Sequence, residues 1–149
     1  MLVGEICNRE VAICHPDDSI QEAAKVMRDQ HVGDVLVVEE KDNMNIPVGI
    51  LTDRDIVIET LAEEINTEKV TVKDIMSREL VCAYEEDFII ETVKKMQGKG
   101  VRRVPIINKE GGLEGILSVD DAIEIIAEVL ADLVRLFRHE FSHESKTRI

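Results

Sequence analysis

The sequence has no tryptophan, one tyrosine and three phenylalanines. Its three cysteines, Cys7, Cys14 and Cys82, are odd in number and lack paired metal-ligand spacing. This argues against a disulfide framework or a zinc site and leaves them as small apolar residues. No apolar run exceeds strand length, and Met1-Leu2-Val3-Gly4-Glu5 lacks a basic segment followed by an apolar one. Neither a signal peptide nor a membrane span is expected, and the expected location is cytoplasmic. Cations are scarce, with 18 Lys and Arg against 31 Asp and Glu, a formal charge of −13. Such a field repels phosphate at long range, against non-specific binding to nucleic acid or anionic membrane. Any phosphate must be held locally. No nucleophile–base pair, metal cluster or phosphate-binding Gly-rich loop is visible, so an enzyme is not expected.

What the 149 residues do contain is a duplication. Gly49-Ile50-Leu51-Thr52-Asp53-Arg54-Asp55 recurs in outline as Gly115-Ile116-Leu117-Ser118-Val119-Asp120-Asp121. In both, an apolar run ends in Gly-Ile-Leu, a hydroxyl residue follows, and an aspartate stands three positions later. Upstream, Val3-Gly4-Glu5-Ile6 aligns with Val72-Lys73-Asp74-Ile75, and Val35-Leu36-Val37-Val38 with Val104-Pro105-Ile106-Ile107, at an offset of 69 residues. The offset drops to 66 at the glycines because the turn between Glu39 and Pro47 is longer than its counterpart.

Each copy opens on a short helical lead-in, at residues 3–8 and 72–77. A brief strand follows at Glu10–Cys14 and Leu80–Ala83. Ile20, Ala23, Ala24, Met27 and His31 recur at helical spacing behind the cap-forming Asp17-Asp18-Ser19, with Gly33 closing that helix; residues 87–99 are its counterpart. Val35–Val38, Val48–Leu51, Val104–Ile107 and Leu113–Leu117 read as strands, and Pro105 places its strand at an edge or an end. Thr52 opens a helix to about Leu61. The helix from Ser118 outgrows the repeat, carrying Leu130, Leu133, Val134, Phe137 and Phe141 on an apolar stripe, with a polar, fraying end at Ser142–Ile149. The expected organisation is a first repeat at 1–62, a linker at 63–71, a second repeat at 72–127, and a helical extension with a polar tail at 128–149.

This order, with Val72-Lys73-Asp74-Ile75-Met76-Ser77, Val104-Pro105-Ile106-Ile107 and the two Gly-Ile-Leu-Thr/Ser-x-x-Asp elements, resembles the cystathionine β-synthase (CBS) domain family, and two tandem copies resemble a Bateman module. The resemblance spans roughly residues 1 to 127. It implies an α+β fold of two βαββα repeats packed with pseudo-two-fold symmetry, ending here in an extended helix. It also implies clefts for adenosyl ligands, whether AMP, ADP, ATP or S-adenosylmethionine, with no prosthetic group and no metal. Such modules commonly form homodimers and signal to a separate protein.

Thr52 with Asp55, and Ser118 with Asp121, are spaced as capping boxes and could serve only to start helices. A carboxylate so placed can also accept from both ribose hydroxyls, and the hydroxyl suits a phosphate. By the resemblance, one ligand lies with Ile50, Thr52, Arg54, Asp55 and Val81, its phosphates meeting Arg102 and Arg103. A second lies with Ala12, Ile116, Ser118 and Asp121, where Gly33 and Asp34 replace the arginine pair. The Asp55 cleft is therefore expected to bind phosphorylated ligands better. The competing expectation is a structural adaptor with vestigial clefts that acts through its C-terminal helix.

Overall fold

A computed structural model describes residues 1–148. The first repeat contains α1 (Val3–Ile6), β1 (Ile13–Cys14), α2 (Ile20–Gln30), β2 (Asp34–Lys41), β3 (Met44–Thr52) and α3 (Asp53–Ile56), which continues as a π-helical turn at Val57–Leu61. A 3-10 turn at Thr67–Lys69 leads to the second repeat: α4 (Val72–Ile75), β4 (Ala83–Tyr84), α5 (Ile89–Lys99), β5 (Arg103–Ile107), β6 (Leu113–Ser118) and α6 (Val119–Thr147). Each repeat forms a three-stranded mixed sheet, ordered β1-β2-β3 and β4-β5-β6, with the short strand parallel to the middle one and the other two paired as an antiparallel hairpin. Val35 to Val38 are buried without alternation because both faces of the middle strand are covered. The length difference between repeats lies in the hairpins. Asp42 and Asn43 take φ of 51° and 62°, the paired left-handed residues of a tight two-residue turn.

The two repeats are built into each other. Val3 of α1 is fully buried in the second core, with Ala83, Met96, Val104, Ile106 and Leu117, while Val72 and Met76 lie in the first core with Ala12, Cys14, Ala23 and Leu51. Backbone bonds repeat the exchange, Val3 N donating to Asp87 O at 2.8 Å and Val72 N to Asp18 O at 3.0 Å. Beyond each lead-in, the chain adds a bridge to the other repeat's last strand. Ile50 and Ser77 exchange two N–H···O bonds of 2.9 Å, and Ile116 and Asn8 exchange two more of 2.9 Å. These reciprocal bridges define the pseudo-dyad, with β3 packed beside β6.

The crossings explain two glycines. A Cβ on Gly49 would lie 2.9 Å from the Ser77 carbonyl oxygen and 2.6 Å from Met76 Sδ; on Gly115 it would lie 2.9 Å from the Asn8 carbonyl oxygen. The close approach they permit is that of the chain's other repeat.

The structure corrects several sequence expectations, among them the brief strands, expected at Glu10–Cys14 and Leu80–Ala83 and found only at Ile13–Cys14 and Ala83–Tyr84. His31, at φ 54°, caps α2 in the left-handed conformation, with Gly33 two residues beyond; in α5 the equivalent cap is Gly100. Pro105 lies on the middle strand of its sheet, tolerated because β4 is two residues long and pairs only with Ile106 and Ile107. Residues 142–147 continue α6, and Ile149 lies outside the described residues. The second strand of the first hairpin begins at Met44 rather than Val48, extending that hairpin to the two-residue turn.

Gly49→Ala should lower stability by about 1–3 kcal/mol, since the carbonyl it meets is backbone and cannot swing aside. Gly98→Ala, in α5 with nothing within 4 Å of its added Cβ, should gain about 0.5–1 kcal/mol. Urea unfolding of the two variants checks both signs, and equal shifts would contradict the assigned cause.

Candidate functional site

Between the crossing segments lies a cavity of about 670 Å³, within the usual range for small-molecule sites of roughly 300–1,000 Å³. β3 contributes Ile50 and Thr52; the segment after α4 contributes Ser77 to Val81; the turn from α5 into β5 contributes Lys99 to Arg103, with Pro105 behind. The structure thus brings Ile50, Thr52, Val81, Arg102 and Arg103 together from both repeats. Asp55 stands one turn beyond Thr52, tied to it by two capping bonds of 3.0 Å, Asp55 N to Thr52 Oγ1 and Thr52 N to Asp55 Oδ2. Capping uses one carboxylate oxygen and leaves the other. Asp55 and the exposed Arg54, both on α3, lie outside the residues that line the cavity. Sequence reasoning misses Arg78 and Leu80, which lie between elements, and Lys99, the last residue of α5, because single residues there carry no periodic signal. Comparison at the repeat offset would have flagged Lys99, whose counterpart is Gln30.

Four cations, Arg78, Lys99, Arg102 and Arg103, therefore converge on one cavity of a protein with charge −13. Arg102 is exposed, with Nη2 3.7 Å from Asp120 Oδ1. Among the described residues neither Arg78 nor Lys99 has a carboxylate within ion-pair distance. Arg103 Nε lies 2.8 Å from Asp34 Oδ1, and the two residues hold the same position in their respective repeats. The pair thus joins the repeats across the pseudo-dyad. Burial pushes the Asp34 carboxyl above the ordinary aspartate value, and the adjacent guanidinium opposes the shift without cancelling it.

Pro105 gives the cavity a further feature. In the first repeat Leu36 N donates to the Ala12 carbonyl at 3.0 Å, closing the first rung between β1 and β2. The corresponding residues are Pro105 and Val81, and proline has no N–H. That rung is missing from the second sheet, where pairing starts at Ala83 with Ile106. Among the described residues the Val81 carbonyl accepts no backbone hydrogen bond, and both Val81 and Pro105 line the cavity.

The dyad-related set is poorer. Ser118 and Asp121 exchange capping bonds of 3.1 and 3.3 Å, and Ile116 bridges to Asn8 as Ile50 does to Ser77. Ala12, however, has its carbonyl occupied by Leu36, and the positions matching the four cations are Arg9, Gln30, Gly33 and Asp34. Arg9 is already bonded to the Glu85 carboxylate and to the carbonyls of Gly4 (2.8 Å) and Glu114 (3.2 Å). No helix of the described residues is long and apolar enough to cross a membrane.

A family model described as the CBS domain matches residues 3–61 and again residues 72–128. Among similar proteins, an uncharacterized protein of Methanopyrus kandleri, MK0525, is 36% identical over 131 residues, covering 88% of this chain and 65% of its own length. Inosine-5'-monophosphate dehydrogenase of Methanocaldococcus jannaschii is 34% identical over 120 residues, 80% of this chain and 22% of the enzyme. Thus the chain spans under two thirds of the first relative's length and about a fifth of the second's. Among solved structures, the CBS domain pair of protein MJ0100 in complex with 5'-methylthioadenosine and S-adenosyl-L-methionine superposes with a TM-score of 0.74 at 26% identity, covering 86% of this chain and 97% of the other.

Asp34 generates a pH prediction. A carboxyl whose folded pKa is raised binds its proton more tightly in the folded state, so its contribution is greatest below the ordinary value of 3.8 and falls as pH rises through the raised one. The stability of the native protein relative to Asp34→Asn should therefore decline with rising pH in that acidic window. Urea midpoints of the two proteins from pH 3.5 to 6 check this; curves parallel at every pH would contradict it.

Proposed function

The chain belongs to the CBS domain family as a tandem pair of such domains, and from that premise we propose that it is a regulatory module that binds adenosyl ligands and signals to a separate protein. The observation that carries this reading is the cavity between the repeats, lined by Ile50, Leu80, Val81, Val101 and Pro105 and by four cations against one carboxylate, Glu79. The ligands bound by the MJ0100 domain pair support the adenosyl class.

In this reading the base lies among Ile50, Leu80, Val81, Val101 and Pro105, and the unpaired Val81 carbonyl accepts from the exocyclic amine of adenine. Asp55 takes the ribose hydroxyls with the carboxylate oxygen that capping leaves. Thr52, Arg78, Lys99, Arg102 and Arg103 face the phosphates, Arg103 exchanging Asp34 for the ligand. Four cations favour AMP, ADP or ATP over S-adenosylmethionine, whose sulfonium adds positive charge. The cleft of Ala12, Ile116, Ser118 and Asp121 binds the same ligands more weakly, with Asp34 opposing phosphate. The module does no chemistry itself. It acts as a homodimer, with residues 128–141 of α6 in the interface, because Leu130, Phe137 and Phe141 are 60, 72 and 77% exposed in the single chain.

That same exposure favours the second reading, a structural adaptor whose helix does the work and whose clefts are vestigial. Calorimetry with AMP and adenosine separates the two. Asp55→Asn, which keeps a capping oxygen but loses the carboxylate, should weaken the tight event for both ligands. Arg103→Ala should cost AMP tenfold or more, one charge-assisted bond being worth roughly 1.5–3 kcal/mol, and spare adenosine. Asp121→Asn should leave the tight event intact. If Asp121→Asn removes it and Asp55→Asn does not, the clefts are assigned the wrong way round; heat from no adenosyl compound would favour the adaptor.

A binding ligand should also stabilise the fold, since the cavity exists only while the repeats are docked. At about 100 times its dissociation constant the gain is roughly 2.7 kcal/mol. A melting temperature indifferent to millimolar AMP, ATP and S-adenosylmethionine would contradict the sensing role.

A further inference from the structure

The four cations of the cavity are held unequally. Arg78 and Lys99 have no carboxylate within ion-pair distance among the described residues, and Arg102 reaches Asp120 only at 3.7 Å, on the open surface. Arg103 is engaged closely, its Nε 2.8 Å from Asp34 Oδ1, with the two side chains 29% and 13% exposed. A pair so sheltered is screened far less by water and salt than a surface pair. Asp34 opens β2 and Arg103 opens β5, and of the two only Arg103 lines the cavity.

We propose that Asp34 sets how strongly the preferred cleft favours a phosphorylated ligand over its nucleoside: its carboxylate stands in for the ligand's phosphate on Arg103, and a phosphate gains that guanidinium only in competition with it. This rests on the adenosyl-binding reading above and adds a residue outside the cavity that limits its affinity. One guanidinium carries one positive charge. A phosphate that takes it over leaves a half-buried carboxylate without its partner, and a phosphate that shares it sets two anions on one cation. Either course weakens phosphate binding. Neither acts on a nucleoside, which brings no anion.

The surroundings of Asp34 offer no substitute for Arg103. Its partner across the hairpin is Thr52, a neutral residue. The next charged residue is Asp53 at the start of α3, whose backbone N–H donates to the Gly33 carbonyl at 2.9 Å. Among the described residues no second cation lies within ion-pair distance of Asp34. Burial raises the Asp34 pKa most, Arg103 opposes that shift, and the Asp53 carboxylate adds to it. Losing Arg103 to a phosphate therefore raises it further. Only the ionised carboxylate competes, so the competition is complete above that raised range and is lost as pH falls through it.

Calorimetric titration of AMP and of adenosine into the native protein and Asp34→Asn tests this. The amide keeps an oxygen for the Arg103 Nε–H and removes the charge, and circular dichroism verifies the fold. At pH 8 the variant should bind AMP about tenfold more tightly than the native protein, the equivalent of one charge-assisted bond regained, and should bind adenosine equally well. At pH 5.5 the two AMP affinities should draw together; titration of the phosphate itself is common to both proteins. AMP binding unchanged by Asp34→Asn at pH 8 would overturn the proposal. Weakened AMP binding would overturn it too, and would make Asp34 a support that positions Arg103. Adenosine tightened as much as AMP would show an effect that does not act on phosphate, and a gap of equal size at both pH values would show a competitor other than the ionised carboxylate; each contradicts the proposal. Heat from neither ligand with either protein would instead sink the binding reading itself, and this inference with it.

Discussion

The bonds that Ile50 and Ser77 exchange, repeated between Ile116 and Asn8, hold this structure to one arrangement. Each joins the last strand of one repeat to the segment that follows the lead-in helix of the other. Neither core is complete without a residue lent by its neighbour, Val3 in one direction and Val72 with Met76 in the other. Separating the repeats would therefore open both cores and expose backbone groups that now pair. Docking is part of folding here, and the cavity beside the crossing inherits that stability. A ligand that touches Ile50 on one side and Val81 on the other bridges the two halves at their seam.

Symmetry of the backbone does not carry over to the chemistry. The exchange of Leu36 for Pro105 removes one N–H and frees one carbonyl; the exchange of Asp34 for Arg103 changes the sign of one charge. Those two differences act on the same side of the dyad, and Lys99 opposite Gln30 reinforces them. In the proposed reading the ion pair between Asp34 and Arg103 would couple the clefts, because a phosphate that draws Arg103 away would leave a half-buried carboxylate unpaired.

Much of this is legible in the residues because it is written locally. The offset between Val3 and Val72, the β-branched run at Val35–Val38 and the Gly-Ile-Leu-Thr/Ser elements report two copies of one unit, and the capping spacing of Thr52 and Asp55 is realised at 3.0 Å. Relations between distant segments are not legible. Gly49 and Gly115 are visible in the sequence only as part of the repeated motif, and the backbone that approaches them, that of Ser77 or Asn8, comes from the other repeat. Pro105 marks a lost donor correctly, but its place on a middle strand depends on the length of β4, which no periodicity announces. Arg78 and Lys99 reach the cavity through the crossing itself. Helix α6 outruns its polar composition, continuing to Thr147 where Ser142 promises fraying.

The central claim is that the crossing of the repeats creates one preferred cleft for an adenine nucleotide. A crystal structure of the protein grown with AMP at a concentration that half-saturates it in solution tests that claim most directly. The account predicts AMP between the repeats beside Asp55, its adenine amine on the Val81 carbonyl and its phosphate among Arg78, Lys99, Arg102 and Arg103, with weaker density beside Asp121. AMP ordered beside Asp121 and Ala12 with the Asp55 cleft empty would contradict it.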